Sequence, residues 1–122
     1  SREDVDAPIA QVFDALSDFD SFARLAMRRG SEVQRVDHMA QLGEGMQWDV
    51  RFNWRGRPRD VQLTLSEYEP PRTLLVSYGA RSVEGAFHLE LLALSRTRTR
   101  INVGFEVRPL NLSARLLVQS LR

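Results

Sequence analysis

The chain has 122 residues, of which 43% are apolar and 27% charged, and it has no cysteine. That composition fits one soluble globular domain over residues 1–122 and excludes a disulfide framework and thiolate chemistry. The net charge is +1 and every basic residue is an arginine, so nothing marks a strong nucleic-acid binder, and the missing lysine reads as compositional bias.

In chain order, Ser1 to Val5 read as the end of a strand. Asp6-Ala7-Pro8 then opens a helix, with Asp6 as its cap and the stripe Ile9, Val12, Phe13, Leu16 on one face. A second short helix carries Phe19, Phe22, Leu25 and Ala26, capped by Asp20 or Ser21 and stopped at Gly30. The two form an elbow that closes one end of the molecule. Glu32 to Val36 is a strand. The central feature follows: Met46, Trp48, Val50, Phe52 and Trp54 alternate with polar residues, turn through Arg55-Gly56-Arg57-Pro58, and return as Val61, Leu63, Leu65. A hairpin folded about that turn sets Phe52 opposite Val61, Val50 opposite Leu63 and Trp48 opposite Leu65.

Pro70-Pro71 ends this hairpin, since prolines cannot donate to a ladder. Arg72 to Tyr78 is the next strand and Gly79 to Ser82 a turn. Gly85 to Leu94 and Arg98 to Val107 form a second hairpin, with Leu91 opposite Ile101, Leu89 opposite Val103 and Phe87 opposite Phe105. Asn111 or Ser113 caps a last helix bearing Leu112, Leu116, Leu117, Val118 and Leu121. At ~1.5 Å per residue that helix is short for crossing a sheet. Both ends therefore read as shortened. No apolar run approaches a membrane span and no signal-peptide pattern opens the chain, so a cytoplasmic location is expected.

Hairpin-linked strands with segregated helices define an α+β fold: a curved antiparallel sheet of about six to seven strands, two short N-terminal helices, and a C-terminal helix across the concave face. This order resembles the helix-grip fold of the START-like (SRPBCC) superfamily, and most of all its polyketide cyclase/dehydrase-like branch. Carrying the resemblance are Val5-Asp6-Ala7-Pro8, then Val12-Phe13-Asp14-Ala15-Leu16-Ser17-Asp18, then Gly43-x-Gly45-Met46, then Glu69-Pro70-Pro71-Arg72-x-Leu74. These motifs are structural, not catalytic. The resemblance implies a cavity between sheet and C-terminal helix for a lipid, a quinone, a polyketide or another apolar molecule.

The residues expected to share the apolar surface are Trp48, Phe52, Trp54, Leu63, Leu65, Val76, Tyr78, Phe87, Leu89, Val103 and Phe105, with Leu117 from the helix. Such a surface with few polar groups is what a small-molecule site looks like, although the same residues could pack as plain core. Tyr78 brings the one polar tip, served by a ligand oxygen or by backbone. His88 lies on the outward parity and His38 in a loop, so neither makes a catalytic pair, and no set of metal ligands gathers. The arginines at 51, 55, 57 and 59 read as a solvated outer face. The reading is a binding or carrier protein for a hydrophobic small molecule, with no cofactor, no nucleic-acid partner and no integral membrane segment. Two alternatives stand beside it. One is a cyclase or dehydratase, which would need Asp49 or Glu90 to face inward. The other is an interaction module, including a homo-oligomer through the C-terminal helix.

Overall fold

The computed structural model describes residues 1–120, less the side chains of Ser113, Ala114 and Leu117. Its elements are β1 (Arg2–Val5), α1 (Ile9–Leu16), α2 (Phe19–Arg28), β2 (Glu32–Arg35), β3 (Gln47–Trp54), β4 (Arg57–Glu69), β5 (Thr73–Ala80), β6 (Val83–Ser95), β7 (Arg98–Pro109) and α3 (Leu112–Ser120). The strands form one antiparallel sheet in the order β1-β7-β6-β5-β4-β3-β2. Hairpins link β3 through β7, and β1 returns to pair with β7. The α+β, helix-grip reading holds.

The second hairpin keeps the expected register: Leu91 faces Ile101, Leu89 faces Val103 and Phe87 faces Phe105. The central hairpin does not. Trp48 pairs with Leu63, Val50 with Val61 and Phe52 with Arg59. The turn is tighter than the four residues expected. Arg55 (φ 54°) and Gly56 (φ 75°) alone make it, both at positive φ, as in a type I′ hairpin. The slip is two residues, so every side chain stays on its expected face. Further along β4 the register shifts between Leu65 and Glu67. This bulge lets Leu63, Leu65 and Tyr68 share the inner face across a three-residue step. The turn expected over Gly79 to Ser82 is also shorter, because Gly79 and Ala80 pair within β5.

Two helix caps differ from expectation. Pro8 occupies the cap position of α1 and no side chain caps that helix, so Asp6 does not. In α2 the cap is Asp18, not Asp20 or Ser21, and its carboxylate accepts the Ser21 backbone N–H at 3.2 Å and the Ser21 hydroxyl at 2.7 Å. Leu121, expected on the last apolar stripe, lies outside the described residues.

The core sits under α1. Phe13 is buried against Tyr68, with ring centroids 5.7 Å apart, and packs with Val12, Met46, Trp48, Leu65, Leu74, Leu89 and Leu91. Thr99 is fully buried and donates to the Ala7 carbonyl at 2.8 Å, fastening the chain between β1 and α1 onto β7. The cover is small for the sheet. At ~1.5 Å per residue α1 is about 12 Å long and α2 about 15 Å. A seven-stranded sheet is roughly 29 Å wide at ~4.8 Å per strand. α3 packs against β7, and its Leu112 and Leu116 are exposed. Part of the inner apolar face is therefore left without a helix directly upon it.

Candidate functional site: an apolar groove between the second helix and the sheet

That uncovered part is a groove of about 470 Å³. Trp48, Leu63, Val76, Tyr78, Phe87 and Leu89 line it from the sheet. They come together because register aligns them in cross-strand rows. Trp48, Leu63 and Tyr78 stand side by side on β3, β4 and β5, and Val76 stands beside Phe87 on β5 and β6. The opposite wall is α2, through Phe19, Phe22, Ala23 and Ala26. Phe19 and Trp48 touch at one end, with centroids 5.2 Å apart.

The other residues expected on this surface are elsewhere. Leu65 is fully buried in the core beneath α1. Val103 packs at the core's margin. Phe52 and Trp54 continue toward the hairpin tip, where the Trp54 ring lies under the guanidinium groups of Arg55 and Arg59 at 4.6 and 5.7 Å. Phe105 is 68% exposed and stacks on Tyr78 with centroids 5.8 Å apart, outside the described lining. The Leu117 side chain lies outside those described. No α3 side chain is among the described lining residues; α1 and α2 supply the helical wall.

The α2 wall was not foreseen. Its stripe Phe19, Phe22, Leu25, Ala26 is readable, but it reads as part of an elbow that closes one end of the molecule. Ala23 and Ala26 are the reason it does not fill the space, because small side chains facing the sheet leave room where leucines would close it.

Among the lining groups the polar atoms are few. The Tyr78 hydroxyl donates to the Glu106 backbone carbonyl at 2.8 Å. Its ring crosses Gly85, where a Cβ would sit 2.5 Å from the phenol oxygen and 2.0 Å from the Glu106 carbonyl, so only glycine fits. Burial raises the Tyr78 pKa above its ordinary value, and Glu106 adds to this against the opposing effect of Arg108. The phenol is therefore a neutral donor near pH 7, already engaged, with lone pairs left to accept.

One polar device braces the end of the groove. Arg35 donates from Nε to Asp37 at 2.7 Å and from Nη2 to the Met39 carbonyl at 3.0 Å, and its guanidinium lies 5.8 Å from the Trp48 ring centroid. Asp37 also accepts the backbone N–H groups of Met39 and Gln47, each at 2.8 Å. Arg35 and these N–H groups hold the Asp37 carboxyl well below the usual carboxylate range. The clasp ties the loop between β2 and β3 to the strand carrying Trp48.

A larger depression, about 880 Å³, lies over β2 to β5 and is lined by the outward-parity side chains Gln34, Asp49, Arg51, Asp60 and Gln62. It is crossed by the Arg51–Asp60 ion pair, 2.9 Å, and Val33, Val50, Val61 and Ala80 also border it, so it offers a ligand a mixed, charged surface and not an apolar one. Asp49 belongs there. Glu90 belongs to another shallow outer depression with His88. Neither carboxylate faces the apolar groove. Among the described residues no cluster of His, Asp and Glu is placed to hold a metal, and no helix is long and apolar enough to cross a membrane.

A curved seven-stranded sheet, two N-terminal helices, a short C-terminal helix and an apolar groove between them define a helix-grip protein of the START-like class. The chain belongs to the polyketide cyclase/dehydrase and lipid transport family, whose model matches residues 1–121. Among solved structures it is similar to the ZhuI aromatase/cyclase of Streptomyces sp. R1128, at 13% identity and a TM-score of 0.72, covering 98% of this chain and 80% of that one. It is also similar to Ara h 8.0201, at 15% identity and a TM-score of 0.64, covering 99% and 86%. A third likeness is to the protein ChR145 of Cytophaga hutchinsonii, at 14% identity and a TM-score of 0.59, covering 99% and 82%. At these identities the likeness is one of fold. A comparison with curated proteins gave no match.

Proposed function

We propose that this protein binds a hydrophobic small molecule, of the lipid, quinone or polyketide kind, in the groove between α2 and the sheet, and acts as its carrier. The observation that carries the reading is the contrast between core and groove. Beneath α1 the inner face packs fully, with Phe13 of the helix and Leu65 of the sheet almost wholly buried. A few residues away on the same face, Leu63, Val76, Tyr78 and Phe87 line about 470 Å³ of open apolar volume. Apolar surface turned toward open space has a free-energy cost that a ligand removes, at about 25 cal/mol per Å² covered.

A carrier is favoured over a cyclase or dehydratase by the lining itself. Among the described lining residues there is no Asp, Glu or His, and the Tyr78 proton is committed to the Glu106 carbonyl. Proton-transfer chemistry needs a base within reach of the substrate. Aromatase/cyclase activity belongs to the ZhuI protein by name; the family description spans both that chemistry and lipid transport.

The test is native mass spectrometry of the freshly purified full chain, followed by organic extraction. A reproducible added mass that extracts into solvent is expected. Ala23→Trp, which fills the groove from the α2 side, should abolish it while the protein stays folded. An added mass that survives in Ala23→Trp would place the ligand elsewhere and sink the proposal.

A further inference from the structure

Strand register sorts the charges of this protein along the sheet. Pairing of Glu32 with Arg51 brings the end of α2 to the level of the β3–β4 hairpin tip, and pairing of Val61 with Ala80 brings the β5–β6 turn there too. One end of the molecule thereby collects Arg28 and the capping Arg29 at the end of α2, Arg55, Arg57 and Arg59 from the hairpin, and Arg81 from the turn, all exposed. Most of the carboxylates nearby are already taken, Asp49 excepted. Asp60 pairs with Arg51, Glu84 and Glu106 pair with Arg108, and Glu32 acts on Arg51. The ion pairs of the described residues involve only Arg35, Arg51, Arg98, Arg100 and Arg108, so none of the six has a carboxylate partner among them.

The whole chain carries only +1, so this excess is balanced elsewhere. Asp14, Asp18 and Asp20 gather beside Met46 and Tyr68, and Glu67 and Glu69 run into the Pro70–Pro71 turn, all toward the other end. A solubilising surface intersperses its signs. The acidic end is mixed, since Arg72 and Arg96 lie there too, but the basic end is of one sign, and such a patch orients a molecule in an external field.

The basic end is also apolar. Trp54 lies among its arginines. Leu110, which donates its N–H to the Ser82 carbonyl at 2.8 Å, is held at the same end, and Leu110 and Leu112 are exposed. Arginine beside tryptophan and leucine is the composition of a segment that lies in a membrane interface. Single-stranded nucleic acid would want free aromatic faces for bases to stack on. Here guanidinium groups cover the Trp54 ring.

We propose that this end of the protein docks on an anionic lipid surface, with the six arginines on headgroup phosphates and Trp54, Leu110 and Leu112 in the interfacial layer. The proposal rests on where the charges fall and stands whether or not the groove is occupied.

The experiment is co-sedimentation of the full chain with vesicles of phosphatidylcholine, alone or with roughly a third phosphatidylserine. Binding should require phosphatidylserine and fall steeply with salt. The triple variant R55E/R57E/R59E should bind at least about 100-fold more weakly. A second triple variant, R28E/R29E/R81E, should do the same through residues on other elements. R72E/R96E, which changes the opposite end, should bind as the parent does. Brominated acyl chains should quench the tryptophan fluorescence of the parent and clearly less that of Trp54→Phe, in which only the groove residue Trp48 remains. Circular dichroism checks the fold of each variant. Equal binding to phosphatidylcholine alone, no vesicle binding, or tighter binding to a single-stranded RNA than to the vesicles would each overturn the proposal.

Discussion

Phe87 and Phe105 face each other across β6 and β7 and look equivalent in sequence, yet the fold gives them different surroundings. Phe87 is half-buried and lines the groove; Phe105 is 68% exposed and meets the groove only through the back of Tyr78. Burying a whole phenylalanine side chain is worth about 1.5–3 kcal/mol. If half of the Phe87 ring faces a ligand, Phe87→Ala removes about 1–1.5 kcal/mol of binding, or roughly 10-fold in Kd. Phe105→Ala should change Kd by less than about 2-fold, within the range of surface substitutions. A suitable assay is fluorescence titration with the uncharged probe N-phenyl-1-naphthylamine, compared at equal folded fraction. An equal loss in both variants would mean that the groove extends onto the exposed face of Phe105. No loss in a well-folded Phe87→Ala would mean that the groove is not where the probe binds. Either result refutes the site as drawn.

Three further outcomes follow from named contacts. Gly85→Ala sets a methyl group 2.0 Å from the Glu106 carbonyl and displaces the Tyr78 hydroxyl; overpacking and the lost hydrogen bond together should cost about 3 kcal/mol, roughly 10 °C in Tm, by thermal unfolding. Leu65→Ala empties a fully buried site and should cost about 3 kcal/mol in urea unfolding, with the groove's probe affinity nearly intact. For Asp37 the folded pKa lies below its ordinary 3.8, so its contribution to stability is complete above that value and is lost as pH falls through the depressed one. The urea midpoint of Asp37→Asn should accordingly fall less steeply than the parent's from about pH 4 downward, and parallel acid limbs would show that the clasp to Arg35 and Gln47 is not what holds the carboxylate.

How much of this was legible depended on what kind of signal each feature leaves. The face of every long strand was readable, because alternation has a period of two and survives a slip of two residues, which is what happened at the central hairpin. The slip itself was hidden in Arg55. A two-residue turn with both φ positive is announced by Asn-Gly or Asp-Gly, and an arginine at φ 54° announces nothing. The bulge after Leu65 was visible in principle as the three-residue step from Leu65 to Tyr68, which no regular strand makes on one face. The groove was legible by half. Large side chains such as Trp48, Phe87 and Tyr78 advertise an apolar surface, and parity put them together. What keeps that surface open is small or absent side chains. Ala23 and Ala26 leave room between α2 and the sheet, and Gly85 gives Tyr78 the room to lie flat. Hydrophobic pattern counts what fills space and is nearly silent about what leaves it empty. The same limit applies to charge. Arg28, Arg57 and Arg81 are far apart in the chain and each reads as an ordinary solvated residue; only the pairing of Glu32 with Arg51 and of Val61 with Ala80 makes them neighbours on one end. The apolar groove and the charged end are both properties of register, and register is the quantity that a run of alternating residues specifies least.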